Sequence, residues 1–217
     1  MYRAVIFDMD GTLLDTIEDL ADSMNTVLNS LGFPEHPLSS YRDFVGDGIE
    51  VLATKSLPEG HRTAQTIARS VKAMKEEYSL RWSVKSRPFP GIPELLDGLT
   101  EMGMALSILS NKLDSFTKAM AASLLPYWKF AEVRGLSPDI PRKPDPAGAL
   151  ICADRMGVDP GHCIFVGDSA IDMETAGRAG MAAFGVSWGY QDKQLLINNG
   201  ARNLLEDPRD LLGYLRK

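Results

Sequence analysis

The chain has 217 residues, of which 44% are hydrophobic and 24% are charged. This length and composition suit a globular protein made of one large domain, or of one domain that carries an insertion. The formal net charge of −6 argues against nucleic acid or an anionic membrane as a partner, and no apolar run reaches the ~18 residues of a membrane-spanning helix.

The first predicted element is a buried β-strand, residues 4–7, that leads directly into two carboxylates. Its sequence, Ala-Val-Ile-Phe, is uncharged and typical of a strand covered on both faces. Because strand residues two apart point to the same side, Asp8 and Asp10 leave the strand together, and Gly11 allows a sharp turn. One Asp here would most often be a turn or helix-capping residue. Two aspartates at the end of an apolar strand are costly to ionise, and no Lys or Arg lies within this stretch to compensate them. The pair therefore predicts a bound divalent cation.

Residues 16–83 are predicted to form helices and loops without a strand. Apolar residues at helical spacing indicate one helix from about residue 17 to 31 and another from 61 to 82. Two prolines make residues 33–38 a connector. Between the connector and the second helix we expect a short helix, a turn and a further helix, at residues 39–44, 45–48 and 49–55.

From residue 88 onward, apolar strands alternate with helices, which predicts a parallel sheet. Strands are expected at residues 104–109, 131–134, 162–166 and 182–186. Helices are expected at residues 92–102, 114–125, 145–157 and 170–179, with a closing helix at 207–217. The fold class is therefore α/β, a Rossmann-like parallel-sheet core with an inserted all-helical domain. We place the core at residues 1–15 and 84–217, and the insertion at 16–83, just after the first strand.

Polar residues follow the predicted strands, at the sheet edge where open α/β sheets bind ligands. Ser110 and Asn111 end the second strand, and Lys143 lies in a loop stiffened by three prolines. Asp168 follows another strand, and Asp172 lies one helical turn beyond it. Lysine suits phosphate and carboxylates suit Mg²⁺. Taken singly, each residue has a plainer explanation as a helix cap or a surface side chain.

The four segments together resemble the motifs of the haloacid dehalogenase superfamily of aspartate-nucleophile phosphohydrolases. In order, they are D-x-D-G-T at residues 8–12, Ser110 at a strand end, Lys143 followed by Pro-Asp, and G-D-x-x-x-D at residues 167–172. The chain also resembles the phosphoglycolate-phosphatase-like branch, at residues 45–48, 90–91, 110–112 and 143–146. The insertion resembles the helical C1-type cap of that branch.

This resemblance implies a Mg²⁺-dependent phosphatase that acts on a small phosphate monoester, with phosphoglycolate as the leading candidate. Asp8 would be the nucleophile that becomes an aspartyl phosphate, and Asp10 would be the general acid and base. Mg²⁺ would be held by Asp8, the backbone carbonyl of Asp10, and Asp168. The phosphate-binding residues would be Ser110, Asn111 and Lys143. Asp172 would orient Lys143 or a metal-bound water.

The insertion would act as a lid that excludes bulk water. Its hinges are expected near residues 14–17 and 84–88. The turn at Gly46, Asp47 and Gly48 is the candidate cap loop facing the phosphate site, with Arg42 and Lys55 as anion contacts. The same residues equally suit a simple turn between two helices.

Other functions share these motifs and stay open at this point. A sugar-phosphate mutase of the β-phosphoglucomutase kind carries all four, and pyrophosphate or nucleotides are alternative substrates. A non-catalytic binding module is a remoter alternative, since it would not need Asp8, Asp10 and Lys143 together. The superfamily's dehalogenases lack the second aspartate as an acid–base group, so Asp10 argues against dehalogenation.

The remaining expectations concern the setting in which the protein works. The partner should be a small phosphorylated metabolite, not nucleic acid or membrane, and the protein a monomer or homodimer. Because the first strand begins almost at Met1, we expect no signal peptide and a cytoplasmic location. Cys152 and Cys163, both in apolar contexts, are expected to be reduced thiols of the core.

Overall fold

A computed structural model describes residues 1–216 of the chain. Its strands are β1 Ala4–Phe7, β2 Leu14–Asp15, β3 Arg87–Pro88, β4 Ala105–Leu113, β5 Glu132–Leu136, β6 Cys163–Gly167, β7 Ala182–Val186 and β8 Asn203–Leu205. Its α-helices are α1 Ile17–Ser30, α2 Tyr41–Phe44, α3 Ile49–Ser56, α4 Ala64–Arg81, α5 Ile92–Glu101, α6 Asp114–Leu124, α7 Ala147–Met156, α8 Ala170–Arg178, α9 Lys193–Asn198 and α10 Asp210–Leu215. The predicted closing helix extended to Lys217, which lies outside the described residues.

The chain divides into two compact units. The first contains Met1–Asp15 and the chain from Pro88 onward, and the second is Thr16–Arg87. From the sequence, the second part of the core was predicted to begin at residue 84 instead. Residues 85 and 86 belong to the second unit because the backbone N–H groups of Lys85 and Ser86 donate to the buried carboxylate of Asp19, at 2.8–3.1 Å. That the two units serve as catalytic core and cap stays a prediction.

The first unit is built on a six-stranded sheet in the order β5-β4-β1-β6-β7-β8. All five pairings are parallel, which confirms the predicted α/β class. The uncharged strand β1 is fully buried and lies between β4 and β6. Of the later strands, β4 and β5 lie on one side of β1, and β6, β7 and β8 lie on the other. The carboxyl end of β1 is therefore the switch point at which such sheets bind ligands.

Two parts of the first unit differ from the sequence prediction. The apolar run of strand β4 was expected at residues 104–109, with Ser110 and Asn111 at its end, but the strand continues to Leu113. Its register against β5 shifts between Leu109 and Leu113, and helix α6 begins only at Asp114. Ser110 therefore lies within β4, four residues before the start of α6. Helix α9 and the three-residue strand β8 were not predicted, because both are too short to show periodicity.

The second unit is helical between residues 16 and 83, as predicted. Its core buries the side chains of Met24 and Leu28 from α1 and of Met74 and Tyr78 from α4. Helix α4 begins at residue 64, three residues later than predicted, because the Thr63 hydroxyl accepts the N–H of Thr66 and caps the helix there.

Two further expectations can be compared with the structure. Cys152 and Cys163 are free and buried, so the prediction of core thiols is confirmed. Among the described residues, no helix is both long enough and apolar enough to cross a membrane.

Candidate active site

The site is built on the tight turn that follows β1. Strand pairing continues for one residue beyond the strand, because the N–H of Asp8 donates to the carbonyl of Val166 at 2.9 Å. The chain then turns back on itself, with the N–H of Leu14 donating to the carbonyl of Met9 at 2.9 Å. Gly11 adopts a φ of 81°, and a Cβ there would lie 2.2 Å from Oδ2 of Asp168. Only glycine therefore lets this turn and the Asp168 carboxylate approach each other.

Three buried carboxylates converge at this turn. Asp8, Asp168 and Asp172 each offer an oxygen atom within 4.8 Å of the others. Asp8 follows β1, while Asp168 and Asp172 follow β6 and lie 3% and 0% exposed. Neighbouring parallel strands thus deliver acids to one point, as the sequence predicted for Asp8 and Asp168.

Lys143 supplies a buried positive charge between two of these acids. Its Nζ lies 2.8 Å from Oδ1 of Asp8 and 2.7 Å from Oδ1 of Asp172, and it also donates to the carbonyl of Leu109 at 3.2 Å. Asn111 holds the backbone of Lys143 from both sides, accepting its N–H at 2.9 Å and donating to its carbonyl at 3.2 Å. These bonds make Asn111 a support for Lys143, and its predicted phosphate contact stays a prediction.

Asp172 is fixed by the start of helix α8. Its Oδ2 accepts the N–H and the hydroxyl of Ser169, at 3.1 and 2.6 Å, which completes a capping box. A Cβ at Gly167 would lie 2.4 Å from the Asp172 carboxylate, so the last residue of β6 has to be small. The remaining oxygen, Oδ1, binds Lys143. The structure therefore contains the contact expected of a residue that orients Lys143.

Burial and like charges make ionisation of this cluster costly. Burial raises the pKa of Asp8 to about 7, and although Lys143 lowers it, Asp172 and Asp10 add to the increase. Burial also raises the pKa of Asp168 well above its ordinary range, and the charge of Asp8 contributes. Burial alone would lower the pKa of Lys143, but Asp172 and Asp8 outweigh it and hold the pKa above its usual value.

The charges of the cluster suit a divalent cation. Four carboxylates, of Asp8, Asp10, Asp168 and Asp172, face two ammonium groups, of Lys112 and Lys143, which leaves a formal excess of two negative charges. Within the described part of the chain, Oδ1 of Asp8 has the ion pair with Lys143 and no further hydrogen-bond partner. An oxygen-rich buried site with spare acceptor capacity and this charge fits the preferences of Mg²⁺.

Lys112, the last residue of the matching segment 110–112, had no role predicted from the sequence. Its Nζ donates to both carboxylate oxygens of Asp10, at 3.0 and 2.9 Å. Ser110 is 5% exposed, and its hydroxyl accepts the N–H of Lys112 at 3.3 Å. The structure thus places Ser110 on the strand that carries Lys112, while the contact of Ser110 with phosphate stays a prediction.

The loop after β7 also borders the site, and it was not among the site residues predicted from the sequence. The N–H of Tyr190 donates to Oδ2 of Asp168 at 2.8 Å, and the indole N–H of Trp188 donates to the carbonyl of Thr12 at 3.0 Å. A Cβ at Gly189 would lie 2.2 Å from Cβ of Asp168. A usable signal existed, because β7 is a predicted strand and its carboxyl end lies at the same sheet edge.

The predicted cap-loop residues lie in the second unit, between α2 and α3. Gly46 and Gly48 have φ values of 115° and 88°, which suit glycine. Asp47 forms an ion pair with Lys55 at 3.3 Å, and Lys55 also donates to the carbonyl of Asp43 at 2.7 Å. Their predicted role in facing the phosphate site stays a prediction.

Comparison with known proteins gives consistent results. A family model described as haloacid dehalogenase-like hydrolase matches residues 5–186. A phosphoglycolate phosphatase of Nitrosospira multiformis is 35% identical over 195 residues, which covers 88% of this chain and 85% of that protein. A phosphoglycolate phosphatase of Psychrobacter arcticus is 30% identical over 221 residues, covering 99% and 96%. The crystal structure of a proposed phosphoglycolate phosphatase from Lactobacillus delbrueckii is similar with a TM-score of 0.92 at 29% identity, covering 99% and 98%.

Proposed function

Because this chain belongs to the haloacid dehalogenase-like hydrolase family, we propose that it is a phosphatase in which Asp8 takes the phosphoryl group from a small phosphate monoester and passes it to water. The observation that carries the proposal is the ion-paired, deeply buried carboxylate of Asp8 at the switch point of a parallel sheet. A carboxylate is a recognised nucleophile in phosphoryl transfer through an acyl phosphate.

The residues around Asp8 have distinct roles in this reaction. An oxygen of Asp8 attacks phosphorus, the bond from phosphorus to the ester oxygen breaks, and Asp10, which enters this step in its protonated form, gives its proton to the departing alcohol. Asp10 then takes a proton from the water that attacks the aspartyl phosphate, which releases inorganic phosphate and restores Asp8. Lys143 lies at ion-pair distance from Asp8, so its ammonium can bind phosphoryl oxygens as they arrive there. Ser110 is proposed as a second group that binds these oxygens.

We propose that Mg²⁺ is held by Asp8, the carbonyl of Asp10, and Asp168. When bound, the ion offsets the repulsion between an anionic nucleophile and an anionic substrate and stabilises charge on the transferring group. The chain places the carboxylates of Asp8 and Asp168 in buried positions, where burial raises their pKa and disfavours the ionised form. A bound cation would offset this cost. Tyr190 orients Asp168 through its backbone N–H, and Asp172 keeps Lys143 at hand beside Asp8.

The proposed substrate is a small monoester, with phosphoglycolate as the first candidate. The support is the name shared by the two curated relatives above, which match at 35% and 30% identity over most of both chains. Hydrolysis is favoured over a mutase reaction on the same ground. A mutase of the β-phosphoglucomutase kind would need a bisphosphate activator, whereas release of phosphate without one indicates a phosphatase.

The test is phosphate release from a panel of small monoesters, with and without Mg²⁺, by the wild type and by Asp8→Asn. We expect Mg²⁺-dependent release that D8N abolishes, because an amide is a poor nucleophile. Asp154→Asn, at an exposed aspartate of helix α7, is the matched control and should keep full activity. Undiminished turnover by D8N would rule out Asp8 as the nucleophile.

A further inference from the structure

The contact that the proposed mechanism leaves unexplained is the one between Lys112 and Asp10. The Lys112 ammonium donates to Oδ1 and Oδ2 of Asp10 at 3.0 and 2.9 Å, across 102 positions of sequence. The side chains are 5% and 11% exposed. Lysine is almost never buried unless it is paired, so this contact determines where Lys112 lies.

The backbone of Lys112 is held as firmly as its side chain. Its N–H donates to the hydroxyl of Ser110 at 3.3 Å, and its carbonyl accepts the hydroxyl of Thr117 at 3.3 Å. Gly135 on strand β5 approaches so closely that a Cβ there would lie 2.5 Å from that carbonyl. Lys112 therefore projects from a fixed point of β4 toward the turn after β1.

The two buried lysines of the site serve different acids. Lys143 binds Asp8 and Asp172, whereas Lys112 binds Asp10 through both of its oxygens. A buried ion pair contributes little net stability, because the desolvation of both charges offsets their attraction. An ammonium that donates hydrogen bonds to both oxygens does, however, restrict rotation of the carboxylate. Stability therefore does not explain why a lysine is buried at position 112, whereas orientation of the Asp10 side chain does.

We propose that Lys112 is the positioning residue of Asp10, holding this carboxylate in the one orientation from which it exchanges protons with the ester oxygen and the attacking water. The inference rests on the proposed function, since it concerns the acid–base group of that reaction. Catalytic groups must be held close to their productive geometry, and loss of the partner that orients such a group lowers activity without removing the group.

The first test compares kcat and KM of Lys112→Met with those of the wild type, using the monoester that the wild type hydrolyses fastest. Removing a partner that orients a reacting group lowers rates by about 10- to 100-fold, so we expect that loss in kcat and a KM within about threefold of the wild type. Lys112→Arg should recover part of kcat, because a guanidinium also binds both oxygens of a carboxylate. Lys118→Met, at an exposed lysine paired with Asp114, is the matched control and should behave as wild type.

The second test is a double-mutant cycle with Asp10→Asn. If Lys112 acts only through Asp10, the double variant D10N/K112M should be no slower than D10N alone. Losses that multiply would overturn the proposal, as would wild-type kcat in K112M or a defect confined to KM. If K112M does not fold, Lys112→Gln replaces it in the same cycle and is judged by the same outcomes.

These outcomes separate the inference from the function on which it rests. A wild type that hydrolyses none of the monoesters, or a D8N variant with full activity, would contradict the proposed function itself. An active wild type, an inactive D8N variant and independent effects of K112M and D10N would contradict the inference alone.

Discussion

At the scale of single residues, each acid of the site has its own partner. Asp8 lies against Lys143, Asp10 against Lys112, and Asp168 accepts the backbone N–H of Tyr190. These partners come from loops and strands far apart in the chain, so the fold itself sets the geometry of the acids. A divalent cation bound as proposed would meet ligands that are already in place.

The first prediction concerns metal binding at Asp168. Mg²⁺ should raise the thermal unfolding temperature of the wild type, because a ligand at one hundred times its Kd stabilises by about 2.7 kcal/mol. Asp168→Asn should remove this response, since it takes away a charged ligand. In EDTA this variant should be at least as stable as the wild type, because one of several buried like charges is gone.

The control for this measurement is the exposed-site variant D154N, whose response to Mg²⁺ should equal that of the wild type. Scanning calorimetry with and without Mg²⁺ gives both numbers for each protein. An unchanged Mg²⁺ shift in D168N would show that the ion binds elsewhere.

The second prediction concerns the two thiols. Burial raises the pKa of Cys152 to about 12 and that of Cys163 to about 11, and only the thiolate reacts. A colorimetric thiol reagent should therefore find almost no reactive thiol in the native protein at neutral pH and two after denaturation. Rapid reaction of either cysteine in the folded protein would contradict the burial of these side chains.

At the scale of elements, the site depends on close approaches that only glycine permits. Gly189→Ala would place a Cβ 2.2 Å from Cβ of Asp168 and 2.6 Å from the carbonyl of Gly11. Since a shift of about 1 Å in a catalytic constellation costs on the order of 10²-fold in rate, we predict a loss of that size in kcat/KM.

The matched control is Gly177→Ala in helix α8, where an added Cβ meets no atom within 4 Å among the described residues. Alanine should stabilise this helix by roughly 0.5–1 kcal/mol and leave kcat/KM unchanged. Urea unfolding and steady-state kinetics measure the two effects. Equal activity of G189A and G177A would show that the loop after β7 does not position Asp168.

Another element-scale prediction concerns Asp19 in helix α1. Its buried carboxylate accepts the N–H groups of Lys85 and Ser86 and the Ser86 hydroxyl at 2.8 Å, which ties the end of the second unit to its first helix. Asp19→Ala leaves these donors without an acceptor, and since a hydrogen bond to a charged group contributes about 1.5–3 kcal/mol, we expect a destabilisation of that order.

The control for this change is Asp22→Asn in the same helix. Asp22 forms an exposed ion pair with Lys85 at 2.7 Å, and exposed pairs contribute about 0.2–1 kcal/mol. Urea unfolding of both variants gives the comparison. A D19A protein no less stable than D22N would contradict the proposed tie.

Elements with strong periodicity could be predicted from the sequence, and elements defined by tertiary contacts could not. The uncharged run of β1 and its two aspartates, and the strand before Asp168, were visible because apolar runs and turn residues are local signals. The extension of β4 through Lys112 was not visible, because its polar residues are stabilised by partners distant in the chain, such as Asp10. The position of the loop after β7 could have been inferred from the end of that predicted strand, but the contacts of Trp188 and Tyr190 with other segments could not.

At the scale of the whole molecule, the net negative charge of the protein repels the proposed anionic substrate. The formal net charge is −6, so an anionic monoester is repelled at a distance, and its attraction is local, from the lysines of the site and the proposed Mg²⁺. Salt screens the long-range repulsion. We therefore predict that kcat/KM stays constant or rises modestly as neutral salt is added at constant Mg²⁺, measured by initial rates. A steep fall would indicate attractive steering by a positive surface instead.

The central claim is that Asp8 carries the phosphoryl group during turnover. The most direct test is to quench the enzyme within its first turnover, reduce it with borohydride, and map the product by peptide mass spectrometry. Borohydride converts an aspartyl phosphate to the corresponding alcohol and leaves free carboxylates unchanged. We predict this modification at Asp8, dependent on substrate and absent from D8N. Modification of another aspartate, or none in an enzyme that releases phosphate, would contradict the mechanism.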